Sequence, residues 1–242
     1  MSNVAVIFAG GTGQRMNTRT RPKQFLELHG KPIIVYTLEA FNSHSEIDGI
    51  IVVMLENYIG YMQDLVRKYA LDKVRKVVPG GKSGQESIYN GLCAASEFYG
   101  QEDIVLIHDG VRPLIDEETI SANIRCVKEH GTAITVTAAI ETITMKDETG
   151  AVGTIIDRSQ CELARAPQSF LLGEILSVHR MAGSGKENAA SFIDSASMMK
   201  HYGYKLYTVE GKPENIKITT PSDYYIFRAM VDARENSQIF GI

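Results

Sequence analysis

Five short runs of β-branched and other apolar residues punctuate the first half of the chain, at 4–9, 49–54, 74–78, 104–108 and 133–138. Their length and composition predict buried strands. The intervening segments 32–42, 58–69, 86–99 and 116–130 carry helical spacing instead. In the last of them Ile120, Ile124 and Val127 recur at i, i+4 and i+7, which marks one apolar face. Strands separated by helix-length segments need right-handed crossovers, so the pattern predicts a mainly parallel sheet covered on both faces. The expected fold is α/β with three layers.

The stretch 141–156 breaks this rhythm. It alternates Thr, Ile and Val around Lys146-Asp147-Glu148-Thr149-Gly150, which predicts a β-hairpin with a polar turn. Its apolar residues have no place on a sheet already flanked by helices, so the hairpin reads as a protruding arm over 141–157. After Phe170 two short helices, a strand at 205–210 and a final helix are expected. Thr220 is placed to cap that helix, with Pro221 at its first position and Asp223 three residues after the cap. Ile226, Met230 and 231–233 are its expected buried face. With no repeat, low-complexity tract or linker, the simplest division is one domain, 1–242, plus the arm.

Composition narrows the function more by exclusion than by assignment. Twenty-five Lys and Arg against 29 Asp and Glu give a formal charge of −4, unlike a dedicated nucleic-acid binder. The longest apolar runs are too short to cross a bilayer, and no secretory leader is legible. Cys93, Cys126 and Cys161 lack metal-ligand pairing and form an odd set, which points to a reducing cytoplasm.

The first strand runs into Ala9-Gly10-Gly11-Thr12-Gly13-Gln14-Arg15-Met16. Clustered glycines let backbone N–H groups approach an anion, and the end of the first strand is where α/β sheets bind ligands. Two familiar phosphate loops fail here. A Walker A loop needs Gly-Lys-Ser/Thr, and a dinucleotide fingerprint needs Gly or Ala where Met16 stands. Arg15, Arg19, Arg21 and Lys23 follow with only neutral residues between them, which suits a polyanion such as a nucleoside triphosphate.

Taken together, Gly10-Gly11-Thr12-Gly13-Gln14-Arg15-Met16 and Pro22-Lys23-Gln24-Phe25-Leu26 resemble the signature of the polyol-phosphate cytidylyltransferases. The likeness continues through His108-Asp109-Gly110-Val111-Arg112-Pro113, Pro167-Gln168-Ser169-Phe170 and Asn215-Ile216-Lys217-Ile218-Thr219. It implies a Rossmann-like fold of the nucleotide-diphospho-sugar transferase type. The implied reaction joins CTP to a polyol phosphate, giving a CDP-polyol and pyrophosphate, in a homodimer with Mg²⁺ on the CTP phosphates. The resemblance places Arg15, Lys23 and Lys217 around the triphosphate as catalytic cations. It assigns Ala9, Gly10, Gly11, Thr12 and Gly13 to the phosphate loop, and Gly80, Gly81 and Ser87 to cytosine. Asp109, Arg112 and Asp194 fall on the acceptor side, and Arg158 enters from the neighbouring subunit. His108 reads as structural.

Three positions depart from the family pattern. Gly84 stands where an arginine is usual, Ala166 replaces the threonine of Thr-Pro-Gln and follows Arg165, and Ile193 replaces the threonine of Thr-Asp. The opening Ala-Gly-Gly, Gly110-Val111 and Pro167-Gln168-Ser169-Phe170 lean towards D-ribitol 5-phosphate as acceptor. The alternative within the same reaction class is 2-C-methyl-D-erythritol 4-phosphate. A nicotinamide-dependent oxidoreductase is disfavoured by Met16 and by the late position of Glu56. A catalytically silent nucleotide-binding relative is disfavoured by retention of Arg15, Lys23 and Lys217.

Overall fold

The strand-forming runs meet in one seven-stranded sheet. A computed structural model describes residues 1–11, 21–184 and 189–240. The strands are β1 (Asn3–Ala9), β4 (Gly49–Met54), β5 (Val74–Pro79), β6 (Ile104–Asp109), β7 (Thr132–Ala138), β10 (Glu162–Leu171) and β11 (Thr208–Glu210). Their order is β11-β7-β10-β6-β1-β4-β5. Every neighbouring pair is parallel except those of β10, which runs antiparallel to both β6 and β7. A short ribbon, β2 (Glu27–Leu28) with β3 (Lys31–Pro32), lies apart from the sheet.

Side-chain alternation along each strand explains the layers. From β1, Ala5, Ile7 and Ala9 enter one core with α1 (Ile33–Ser43), α2 (Ile59–Lys68) and α4 (Glu117–His130). Val4 and Val6 enter the other, with α3 (Gly84–Ala95), α5 (Leu172–Ser184) and α6 (Ser195–His201). The close seat of α3 depends on Gly91, where a Cβ would fall 2.5 Å from Val6 and 2.6 Å from Val53. A third cluster sets α7 (Pro221–Phe240) on Leu28, Ile33, Val111 and Ile218. Among the described residues no helix is long and apolar enough to cross a membrane.

The hairpin is present as β8 (Ile143–Lys146) and β9 (Val152–Ile156), paired only with each other. Three sequence-based expectations need correction. The buried face of α7 is Phe227 and Val231; Ile226 is 45% exposed and Ala233 also faces solvent. Helix α3 starts two residues early because Ser83, accepting the Glu86 N–H, caps it ahead of Gly84. The long strand β10 has no signal in the pattern, since Pro167 argues against a central strand. The sheet accommodates it by a bulge. Ala164 pairs with Val136 but Gln168 with Ile134, so the extra residues loop out around Pro167.

Candidate active site

A cleft opens where the carboxyl ends of β1 and β6 lie side by side, with Phe8 opposite Asp109. The chain leaves β1 for β4 and β5, then returns on the other side of β1 as β6. The loops after β1 and β6 therefore diverge and leave a crevice, as at any such switch point. Two cavities of about 380 and 460 Å³ meet there and share Phe8, Ser83, Gly84, Asp109 and Lys217. The larger is lined by Gly10, Gly11, Lys23, Gly81 and Ser87, the smaller by Arg112, Arg165, Gln168 and Asp194.

Asp109 ties the two together. Its Oδ1 accepts from Lys217 Nζ at 2.6 Å and its Oδ2 from Arg112 Nε at 2.8 Å. Burial alone would push this carboxyl's pKa up, but Lys217 and Arg112 more than compensate and hold it below the usual range. Arg112 also donates to the Asn215 carbonyl at 2.8 Å, and Asn215 Nδ2 donates to the Ala166 carbonyl at 2.7 Å. Motifs a hundred residues apart thus form one bonded cluster. Beneath it, fully buried His108 donates through Nε2 to the Arg112 carbonyl at 3.2 Å. Burial drives its pKa down to about 4, so it stays neutral and structural, as expected.

The start of the glycine loop is fixed from outside. Gln24 Nε2 donates to the Ala9 carbonyl at 2.7 Å, and Lys23 Nζ donates to the Ile218 carbonyl at 3.0 Å. Lys23 and Lys217 therefore border the same cavity from two different segments. Among the described residues the nearest atom to a Cβ on Gly11 would be Lys23 Cε, at 3.9 Å. Thr12, Gly13, Arg15 and Arg19 lie outside the described residues.

Opposite the loop, the Gly80–Ser87 turn is held by its own hydrogen bonds. The Ser87 hydroxyl donates to the Ser83 carbonyl at 2.9 Å and accepts the Gly81 N–H at 3.0 Å. Its one proton is spent on shaping the loop rather than presented to a base. The Gly80 N–H is likewise taken, by the Met54 carbonyl at 2.8 Å. Gly80 is glycine because a Cβ would fall 2.9 Å from Ser87 Oγ. At Gly84 a Cβ would meet nothing within 4 Å, so the residue simply leaves the cavity open.

Asp194 lines the smaller cavity, but its oxygens are committed. It caps α6 by accepting the Ser197 N–H at 2.8 Å and takes Gln168 Nε2 at 2.8 Å. Arg158, exposed after β9, donates to the Ile140 carbonyl at 2.6 Å and lines neither cavity of its own chain. Four contributors escaped sequence reasoning: Gln24, Arg165, Gln168 and Asn215. Gln24, Gln168 and Asn215 are buried amides inside the very motifs that carry the resemblance. An amide buried beside a glycine loop or a strand end was the available signal, because it must find backbone partners.

The profile of the 2-C-methyl-D-erythritol 4-phosphate cytidylyltransferase family matches residues 3–233. The chain belongs to that family. It is a nucleotidyltransferase, and specifically a cytidylyltransferase. Within the wider group of relatives, the chain is 52% identical over 239 residues to the ribitol-5-phosphate cytidylyltransferase of Vibrio parahaemolyticus, covering 99% of this chain and 100% of that one. It is 39% identical over 221 residues to the 2-C-methyl-D-erythritol 4-phosphate cytidylyltransferase of Clostridium botulinum, covering 91% and 93%. A crystal structure of 4-diphosphocytidyl-2C-methyl-D-erythritol synthase from Anaerococcus prevotii matches with a TM-score of 0.81 at 26% identity, covering 96% of this chain and 98% of that one. These solved family members share the Rossmann-like arrangement of a mostly parallel sheet between helices. The polyol-phosphate resemblance read from the motifs is therefore correct.

Proposed function

We propose that the protein transfers CMP from CTP to D-ribitol 5-phosphate, giving CDP-ribitol and pyrophosphate. The observation that carries the choice of acceptor is the full-length identity of 50–52% to relatives named for ribitol 5-phosphate, against 38–39% to those named for the methylerythritol compound. The cleft supplies the chemistry that such a transfer needs. An acceptor phosphate oxygen forms a bond to the α-phosphorus while the bond to the bridging oxygen breaks, and pyrophosphate leaves with the electron pair. A phosphomonoester ionises a second time at a pKa of about 6, so no general base is required. Charge is the obstacle, and positioned cations lower it.

In this reading Lys23, Lys217 and Arg15 surround the triphosphate, over the backbone of Ala9, Gly10, Gly11, Thr12 and Gly13. The turn at Gly80, Gly81 and Ser87 receives the cytosine. Arg112 and Asp109 face the acceptor, with Asp109 free to accept a hydroxyl on lone pairs that Lys217 and Arg112 do not use. Asp109 is also the only carboxylate lining the larger cavity among the described residues. A single, already paired carboxylate suits a Mg²⁺ carried in on the triphosphate rather than a resident metal. When bound, that cation neutralises phosphate charge.

The arm belongs to a homodimer. Met145, Val152 and Ile155 are 57–68% exposed on a hairpin whose strands pair only with each other among the described residues. An isolated hairpin is marginal in water, and a second copy related by a twofold axis covers both arms at once. Arg158 then binds the acceptor in the partner's cleft. The three free cysteines suit the cytoplasm. Pyrophosphate release with CTP, Mg²⁺ and a panel of polyol phosphates tests the proposal. Ribitol 5-phosphate should give the highest kcat/KM; a preference for the methylerythritol phosphate would reassign the acceptor.

A further inference from the structure

The bulge in β10 carries a cation that the cluster around Asp109 does not explain. Arg165 leaves the strand just where pairing with β7 slips, and Nε donates to Thr137 Oγ1 at 3.3 Å. The looped-out backbone is held on both sides. Thr135 Oγ1 donates to the Pro167 carbonyl at 2.7 Å, and Asn215 Nδ2 holds the Ala166 carbonyl. A bulge next to a cleft re-aims a side chain, and here it turns Arg165 to the smaller cavity.

That cavity is short of negative charge. Three cations line it, Arg112, Arg165 and Lys217, against two carboxylates, Asp109 and Asp194. Asp109 is taken by Arg112 and Lys217, and Asp194 by Gln168 and the cap of α6. Arg165 is left without a carboxylate partner among the described residues, half-buried and beside Arg112. Burial and that neighbouring charge both disfavour its protonated form, yet an arginine stays charged. An anion entering the cavity would offset both effects. The sequence neighbours of Arg165, Ala164 and Ala166, also line the cavity and offer no side-chain acceptor.

We infer that Arg165 is a specificity-determining residue that grips the phosphate of the acceptor from within the same chain. This rests on the proposed transfer to a polyol phosphate. It adds a cation on the cleft's own wall to the one Arg158 brings across the dimer. The planar fork offers two parallel N–H donors to phosphate oxygens, and Thr137 sets its direction. Two guanidinium groups and Lys217 then neutralise the attacking phosphate beside the triphosphate.

Steady-state kinetics of the wild type with ribitol 5-phosphate comes first, since an inactive wild type would defeat the proposed function and not this assignment. Calorimetric binding of ribitol 5-phosphate then tests Arg165 whether or not turnover is seen. Arg165→Met should weaken acceptor binding and raise its KM about 10- to 100-fold, the loss of a charge-assisted pair, while KM for CTP stays put. Arg165→Lys should recover part of it, and Thr137→Val, which keeps the guanidinium but frees its direction, should cost about threefold. An unchanged KM for CTP shows that the cleft is intact in each variant. Inorganic phosphate separates the two ends of the acceptor: as a competitive inhibitor it should lose potency in Arg165→Met by a similar factor. Unchanged acceptor affinity, or unchanged phosphate inhibition with a raised acceptor KM, would overturn the assignment.

Discussion

The two sides of the cleft solve the same problem, holding negative charge, by different means. On the side proposed for the nucleotide the wall is largely backbone: Gly10, Gly11 and Gly81 line a cavity whose cations are Lys23, Lys82 and Lys217. On the side proposed for the acceptor the wall is side chains, with Arg112 and Lys217 locked to Asp109 and the guanidinium of Arg165 hung on Thr137. A backbone wall is general, since any phosphate fits N–H groups that no Cβ obstructs. A wall of side chains can be altered one residue at a time. In the proposed reading, recognition of the nucleotide is built into the loop, and choice of acceptor into β10 and the strand ends.

The largest effect is expected where both sides share a residue. Lys217→Ala removes a cation from the transition state and leaves Asp109 with one partner, so kcat should fall about 10²–10³-fold in single-turnover assays. A variant with near-wild-type kcat would end the idea of a shared cation. Gly11→Val tests the backbone wall alone. CTP should bind at least about tenfold more weakly by calorimetry while the melting temperature holds, because among the described residues the new Cβ meets nothing nearer than 3.9 Å. Equal CTP affinity would mean that the phosphates do not approach this backbone.

A third experiment asks whether the acceptor side is completed by another chain. Lys23→Ala and Arg158→Ala are each expected to be nearly inactive alone. Mixed and exchanged, half the dimers are hetero and each has one intact site, so about a quarter of wild-type activity should return. No recovery after confirmed exchange would place Arg158 in its own subunit. The smallest effect concerns the scaffold under the cleft. His108 and His179 are buried neutral, and burial lowers both to a pKa of about 4. The unfolded chain takes up these protons first as pH falls, so their stability is complete above about pH 6.5 and is lost towards pH 4. Urea titrations should show that loss, and His179→Gln should flatten it by about 1 kcal/mol per pH unit between pH 6 and 5. An unaltered slope would mean that His179 is protonated in the folded protein.

The pattern of apolar residues sufficed for the sheet's parallel half and for three of its flanking helices, because strand and helix periods are local properties of the chain. Helix α7 began where Thr220, Pro221 and Asp223 said it should, with the Asp223 side chain accepting the Thr220 N–H at 2.7 Å. Ordered motifs likewise named Lys23, Asp109, Arg112 and Lys217, all of which line the two cavities of the cleft. Partnership was another matter. That Asp109 holds Lys217 besides its neighbour Arg112 depends on a segment a hundred residues away, and that Arg165 turns into the cleft depends on β10. This strand enters the sheet antiparallel, between β6 and β7, against the local preference of Pro167. Its place is decided by sheet pairing and by Asn215 and Thr135, all distant in sequence, and only tertiary structure brings those atoms together.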